Sequence, residues 1–131
     1  MNRAKYSFVL DVQSTEAQIC LVSSVGDTSR EMNIRLSDGG VPLPLVGNEK
    51  AVLFIEGPGG TINAACSLEK DGQDGYYILY IFTKETCAME GLHKCQLWIY
   101  EEASEGAQDG PELWSPQFSM FVGPKKKRPG M

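Results

Sequence analysis

Apolar and polar residues alternate along much of this chain, which is the period of β-strands that bury one side and expose the other. The clearest example is "EMNIRL", residues 31–36. Its apolar side consists of Met32, Ile34 and Leu36, and its polar side of Glu31, Asn33 and Arg35. We therefore predict a strand with the apolar side in a core and the polar side on the surface, available to a partner.

Other segments repeat this alternation or form short, dense apolar runs. In chain order they are "KYSFVLDV", "QICLV", "VPLPLV", "KAVLFIEG", "TINAACSLEK", "YYILYIF", "CQLWIYEE" and "WSPQFSMFV". Turn sequences such as "SDGG", "PGG" and "DGQDG" separate them, and Pro42 and Pro44 place "VPLPLV" at a sheet edge. Short strands with frequent turns predict an all-β, antiparallel β-sandwich.

Helical signals are confined to one place. "TKETCAMEGLHK" could form at most one short helical turn near residues 84–91, with Gly91 as its stop. The length of 131 residues fits a single domain. We predict that residues 1–123 form the sandwich and that residues 124–131 form a basic, flexible tail.

The distribution of charge argues against some partners. The net charge is -5, and the tail contains four basic residues, Lys125, Lys126, Lys127 and Arg128. The remaining 8 basic and 17 acidic residues give the body a net charge of -9. An acidic body is a poor partner for a phosphate backbone, so we expect no nucleic-acid binding. No apolar run approaches the ~20 residues of a membrane helix, so we expect neither membrane insertion nor an export signal.

Four cysteines and one histidine are the candidates for metal or nucleophile chemistry. The cysteines are Cys20, Cys66, Cys87 and Cys95, and we expect reduced thiols, with Cys66 and Cys95 in the core. Cys87, His93 and Cys95 could be taken as a metal or Cys–His site. A zinc site needs four ligands, and only these three candidates occur here. A catalytic Cys–His pair would need a third group to orient it, and none is identifiable. A half-exposed His93 beside core cysteines is the preferred interpretation, with no metal and no cofactor.

Two further motifs have simple structural interpretations. Asp71 and Asp74 of "DGQDG" resemble part of a calcium loop, but the distal glutamate of that motif is missing, which favours a hairpin turn. The run "PKKKRP" is similar to a nuclear import signal, and a solvated tail is the preferred interpretation because short basic runs are unspecific.

Aromatic residues near the end of the chain are candidates for binding. If Leu97 and Ile99 face the core, Trp98 and Tyr100 lie on the outer surface of the sheet. Trp114, just before the last strand, has the same ambiguity. Such residues form a docking surface or a sugar platform when exposed, whereas the alternative is packing beneath the loop "ASEGAQDGPE" or a neighbouring strand.

The order of strands and turns resembles the N-terminal domain of phage baseplate upper proteins, from tailed phages and prophages of Gram-positive bacteria. The resemblance covers nearly all of residues 5–123. It rests on "YSFVLDV" ending in an acid, "GDTSREMNIRL", "SDGGVPLPL", "AVLFIEGPGG", "DGQDGYYILYIF", "KCQLWIYE" and "SPQFSMFV". It is a pattern of strands and turns and includes no catalytic signature.

This resemblance implies an immunoglobulin-like sandwich with a structural, non-enzymatic role. The domain would dock a receptor-binding or host-recognition module onto the tail tip. Its partners would be other baseplate or tail proteins, and it would self-associate as a trimer or another symmetric oligomer. It would reside in the virion baseplate, and in the host cytoplasm during assembly. The partner-binding candidates are Trp98, Tyr100, Trp114, Glu31 and Arg35. The alternative function is a carbohydrate-binding β-sandwich module.

Overall fold

Ten β-strands make up the fold in this computed structural model, which describes residues 1–72, 75–102 and 110–130. They are β1 (Ala4–Asp11), β2 (Glu16–Ser24), β3 (Arg30–Asp38), β4 (Val41–Pro42), β5 (Lys50–Gly57), β6 (Gly60–Lys70), β7 (Tyr76–Ile81), β8 (Gly91–Tyr100), β9 (Glu112–Trp114) and β10 (Gln117–Gly123). The prediction of an all-β chain is confirmed, since no helix occurs among the described residues. The described part therefore also contains no helix that could cross a membrane.

The strands form one nearly closed path in the order β1-β3-β7-β6-β5-β8-β10-β2. The long strand β6 turns the corner between the two halves of this path. Its first part pairs with β5 up to Cys66, and its last part pairs with β7 from Ser67 onward. The two end strands approach each other, because the Tyr6 hydroxyl on β1 donates a hydrogen bond to the Val22 carbonyl on β2. The sheet thus curls into a barrel-like shape.

The prediction that the sheet is antiparallel holds for most strand pairs but is wrong for two of them. β1 runs parallel to β3, and β2 runs parallel to β10. The reason is the route of the chain: β2 leaves β1 for the opposite end of the path, and β3 then returns beside β1 in the same direction. This mixed, nearly closed sheet does not confirm the immunoglobulin-like sandwich that we expected.

A single hydrophobic core fills the interior of the sheet. The inward side of β3 is as predicted, because Met32 and Ile34 are fully buried and Leu36 nearly so. Strand β8 alternates in the same way, with Leu97 and Ile99 buried. β4 is only two residues long and pairs with β3 alone, which agrees with the edge position predicted from its prolines.

The segment between β7 and β8 consists of consecutive turns. The Thr86 amide donates to the Thr83 carbonyl at 3.1 Å, and the Ala88 amide donates to the Glu85 carbonyl at 3.4 Å. The Thr86 hydroxyl accepts from the Thr83 amide at 2.9 Å and lies 2.6 Å from the buried Tyr80 hydroxyl. These bonds hold the segment against the core as turns, in place of the helical turn that the sequence allowed.

Asp11 joins the end of β1 to the turn between β3 and β4. Its carboxylate accepts hydrogen bonds from the amides of Gln13 at 3.0 Å, Gly39 at 3.1 Å and Gly40 at 2.7 Å, and from the Ser37 hydroxyl at 3.0 Å. These donors favour the charged form and lower the pKa of Asp11 from 3.8 to about 2. Asp11, the acid near the end of "YSFVLDV", is therefore a structural clamp on "SDGG".

Candidate docking surface

Four aromatic side chains form a ladder on the outer face of the sheet. The aromatic ladder comprises Tyr100 and Trp98 on β8, Trp114 on β9 and Phe54 on β5. The ring centroids of Trp98 and Tyr100 are 4.1 Å apart with an interplanar angle of 20°. Trp114 lies 5.9 Å from Trp98 and 5.7 Å from Phe54, again with nearly parallel rings. The structure thus brings together the three aromatic residues singled out by the sequence and adds Phe54.

Local pairing explains how the ladder forms. The core positions Leu97 and Ile99 direct Trp98 and Tyr100 outward, because successive side chains of a strand point to opposite faces. The register of β8 with β9 then places Trp114 directly opposite Trp98. Buried Ser115 fixes this register: its amide donates to the Leu97 carbonyl, and its hydroxyl accepts from the Leu97 amide, both at 2.9 Å.

Stacking determines which parts of the rings can meet a ligand. A centroid separation of 4.1 Å leaves no space for another ring between Trp98 and Tyr100. The Trp98 indole nitrogen is also engaged, since it donates to Glu112 Oε2 at 3.0 Å. Trp114 is 46% exposed, whereas Trp98 and Tyr100 are half-buried. The ladder therefore presents ring edges and the Trp114 indole, while most ring faces are covered by other rings.

The alternative interpretation was that these aromatic residues pack beneath a loop or a neighbouring strand, and the structure shows such packing for one of them. Phe54 of the neighbouring strand β5 does pack on Trp114. Most of the loop "ASEGAQDGPE", residues 103–109, lies outside the described residues.

A second apolar feature on the same outer face was missed by the sequence analysis. The apolar row consists of Val22 on β2, Phe121 on β10 and Leu92 on β8. Phe121 pairs in register with Val22 on one side and with Leu92 on the other. All three are exposed. Alternation assigns each of them to an outer face, but their adjacency follows only from the order and register of the strands.

A polar band separates the apolar row from the aromatic ladder. It contains Lys94 on β8, which pairs with Glu56 on β5 and with Ser119 on β10. Ser119 pairs in turn with the exposed Cys20 on β2. The outer face thus has two apolar clusters on either side of a polar band.

Glu31 and Asn33 are not on an accessible surface, which corrects the prediction for the polar side of "EMNIRL". Glu31 is only 7% exposed and Asn33 only 8%. Strand β3 lies between β1 and β7, so the side chains of both neighbours flank its outer residues. Arg3 caps Glu31 with an ion pair at 3.3 Å, and the Asn33 amide nitrogen, when turned toward the carboxylate, lies 2.8 Å from Glu31 Oε2.

Arg35 is exposed, as predicted, but it lies on β3 and not on the strands that carry the aromatic ladder. It forms an ion pair with Asp71 and sits 5.1 Å from the centroid of the Tyr77 ring. It also lines a cleft of about 280 Å³ next to the β3–β4 turn, together with Val9, Pro42 and other residues. Glu31 and Arg35 therefore do not join the three aromatic candidates in one site.

His93 is buried and faces inward, whereas we expected it to be half-exposed. It lies on the inward side of β8 with Cys95, and its Nδ1 is 3.0 Å from the Gly91 carbonyl oxygen. Cys87 and Cys95 are buried free thiols, and burial raises the pKa of Cys95 to about 12. Such a thiol is a poor nucleophile, because the reactive form is the thiolate.

The described ranges contain no group of three or more His, Cys, Asp or Glu side chains that could hold a metal ion. Asp71 pairs with Arg35. Asp74, the second acid of the possible calcium loop, lies outside the described residues.

Comparisons with known proteins identify a fold but no family. No protein-family model matches the chain, and no curated protein matches it in sequence. Among solved structures, it is similar to the N-terminal domain of phage TP901-1 ORF48, with a TM-score of 0.69 and 10% sequence identity. The alignment covers 92% of this chain and 98% of that one. At this identity the likeness is one of fold.

Proposed function

We propose that this domain is a structural component of a phage tail baseplate, an adaptor that docks a host-recognition module onto the tail tip. The observation that carries the proposal is the fold shared with a phage protein domain over 92% of the chain. A fold alone does not specify a function. The proposal also draws on the strand and turn order, which resembles that of baseplate upper proteins.

The aromatic ladder is the surface that we assign to docking. Tryptophan and tyrosine are enriched at protein interfaces, because they bury a large area and lose little conformational freedom. Trp114 is the most accessible of the four rings, and the clamp between Ser115 and Leu97 holds its backbone in place. Arg35 remains a separate, exposed candidate for binding a partner. Glu31, which is buried, would instead help to stabilise β3.

The mechanism would be rigid docking without catalysis. The ladder lies on regular strands and its rings are mutually packed, so binding costs little ordering of side chains. His93 and the buried cysteines would serve the core. The copies would be arranged symmetrically around the tail, in the virion and earlier during assembly in the host cytoplasm.

Co-expression with the tail proteins encoded beside this open reading frame tests the proposal. We expect the tagged domain to retain one of them through purification, and Trp114→Ser to weaken that complex at least about tenfold. Ile81→Ser is the matched control, because Ile81 is exposed to a similar degree (43%, against 46% for Trp114) but lies on β7. Neighbouring genes devoted to polysaccharide breakdown, together with no retained tail protein, would contradict the adaptor role.

A carbohydrate-binding module is the second candidate, favoured by the exposed Trp114 beside the acceptor Glu112. Sugar rings stack on the open faces of aromatic rings, and here the Trp98 face toward Tyr100 is covered. A glycan array separates the two candidates. An adaptor gives no signal, whereas a sugar-binding module gives a signal that Trp114→Ser abolishes.

A further inference from the structure

A cleft at one end of the barrel-like sheet lies between the turn that joins β5 to β6 and the turn segment that precedes β8. Its volume is about 210 Å³. Its lining side chains come from the sheet and from the turn segment, and they include Ile55, Ile62, His93, Glu85, Ala88 and Met89. This His93 cleft shares no residue with the aromatic ladder or the apolar row.

The sides of the His93 cleft are largely apolar and are held by close packing. Half-buried Ile62 forms one side, and exposed Met89 forms part of the rim. The two turns touch each other, since a Cβ atom at Gly59 would lie 2.7 Å from Met89 Cγ and one at Gly91 would lie 2.8 Å from Pro58 Cγ. The cleft is therefore formed before any ligand arrives, which lowers the entropic cost of binding. Barrel mouths are common places for such ligand sites.

His93 brings one hydrogen-bond acceptor to this apolar cleft. The side chain is only 6% exposed, and its Nδ1 lies 3.0 Å from the Gly91 carbonyl oxygen. A carbonyl oxygen can only accept, so Nδ1 carries the hydrogen, and Nε2 of the neutral ring is then an acceptor. Within the described part of the chain, no group donates a hydrogen bond to Nε2.

The free nitrogen is not sealed inside the core. Among the described residues, every fully buried side-chain nitrogen or oxygen has a hydrogen-bond partner. Nε2 has none, so it must be accessible, and His93 lines the cleft. The cleft thus combines apolar walls with one buried acceptor that lacks a donor, which is the arrangement of a small-molecule site.

We infer that the His93 cleft binds a phenol, with the ring against the apolar walls and the hydroxyl donating to His93 Nε2. The volume suits one ring, because an apolar cavity of about 150 Å³ accommodates benzene. A hydroxyl has a single hydrogen to donate, which matches the single acceptor, whereas an ammonium would leave further donors unpaired against apolar walls. Glu85 at the rim disfavours anionic ligands. The Met89 sulfur suits contact with an aromatic ring.

This inference goes beyond the proposed function and does not depend on it. It concerns the inward-facing residues at one end of the sheet, whereas docking is assigned to the outer face. A chain that binds no phenol but retains a tail protein would overturn the inference and leave the adaptor standing.

Nuclear magnetic resonance of the ¹⁵N-labelled full chain observes the proposed hydrogen bond directly. Both ring nitrogens are assigned without ambiguity, because the chain has one histidine. We expect the free protein to show the tautomer with hydrogen on Nδ1. Added p-cresol should move the Nε2 resonance upfield, as accepting a hydrogen bond does, with a Kd on the order of 1 mM. Toluene has the same shape without the hydroxyl and should not cause this shift.

Two phenylalanine variants locate the site. Ala88 is exposed at the rim, and Ala88→Phe should fill the cleft and weaken p-cresol binding at least about tenfold. Ala65→Phe is the matched control, because Ala65 is also exposed but lies on β6 away from the cleft, and it should bind as the wild type does. Circular dichroism establishes that both variants are folded, and Ala88→Leu replaces Ala88→Phe if that variant is not.

The phenol could be a free molecule or a tyrosine side chain of another protein, and N-acetyltyrosinamide distinguishes the two sources. Binding within about tenfold of p-cresol would identify a tyrosine as an acceptable ligand, and exclusion would restrict the site to free phenols. Three results would overturn the inference: hydrogen on Nε2 in the free protein, an Nε2 resonance that p-cresol does not move, or equal binding by Ala88→Phe and Ala65→Phe.

Discussion

Gly57, the last residue of β5, lies against the buried ring of His93, and adding one methyl group there has a predictable cost. A Cβ atom at Gly57 would lie 2.1 Å from His93 Cδ2 and 2.6 Å from Nε2. The ring has little freedom to move away, because it is buried and its Nδ1 is held at 3.0 Å from the Gly91 carbonyl oxygen. We therefore expect Gly57→Ala to force the His93 side chain or the backbone of β5 out of place.

The magnitude follows from overpacking in a closed core. Inserting a methyl group into such a site typically costs about 1–3 kcal/mol of unfolding free energy. His93→Ala removes the obstacle. In that background Ala at position 57 should be neutral or stabilising by about 0.5–1 kcal/mol, because glycine in a strand is less favourable than alanine. The two substitutions should therefore be coupled by at least about 1.5 kcal/mol.

Urea unfolding of the four proteins, followed by tryptophan fluorescence, measures this coupling. We expect Gly57→Ala to lower the urea concentration at the unfolding midpoint in the wild type but not in the His93→Ala background. The slope of the unfolding free energy against urea concentration should stay the same in all four proteins. An equal loss in both backgrounds would refute the reasoning. It would mean that the glycine is needed for its backbone conformation and not for the space that His93 fills.

Three other predictions follow from single sites. Asp11→Asn should reduce the stability that is lost on acidification. The pKa of Asp11 is lowered from 3.8 to about 2, so its carboxylate stabilises the fold above pH 3.8, and this contribution disappears as the pH falls toward 2. Thermal unfolding between pH 2 and 5 tests this, and an identical pH dependence in the variant would contradict it. Trp98→Ala should lower the free energy of unfolding by about 1–3 kcal/mol, because it removes two ring contacts. It should also remove most of the near-ultraviolet circular dichroism, and an unchanged spectrum would show that the rings do not stack in solution. Burial raises the pKa of Cys66 and Cys95 to about 12. A thiol reagent at neutral pH should therefore modify exposed Cys20 in the folded protein, and Cys66 and Cys95 only after unfolding. Rapid modification of Cys95 in the folded protein would argue against its buried position.

The aromatic ladder limits what kind of ligand the outer face can accept. Its rings stack on one another, so their contact energy stabilises the strands β5, β8 and β9 before any partner arrives. A flat protein surface can cover the ring edges and Trp114 together, whereas a sugar would reach few open ring faces. This is the physical reason for ranking protein docking above sugar binding.

The sequence by itself determined where most strands lie and which of their side chains face the core, although only Val41–Pro42 of "VPLPLV" is a strand and "WSPQFSMFV" is divided between β9 and β10. Alternation with a period of two identified the buried positions Met32 and Ile34 and directed Trp98 and Tyr100 outward, because neighbouring side chains of an extended chain must point to opposite faces. The even distribution of turns likewise indicated an all-β chain, and the fold agrees.

Only the tertiary structure decided which strands are neighbours, and the remaining differences follow from that. A period of two has no information about strand order or direction, so it could not predict the parallel pairs β1–β3 and β2–β10. Glu31 is buried because its outer side lies between two flanking strands, although its position in the pattern is polar. Val22, Leu92 and Phe121 are far apart in the chain, and the register of three strands alone makes them one surface.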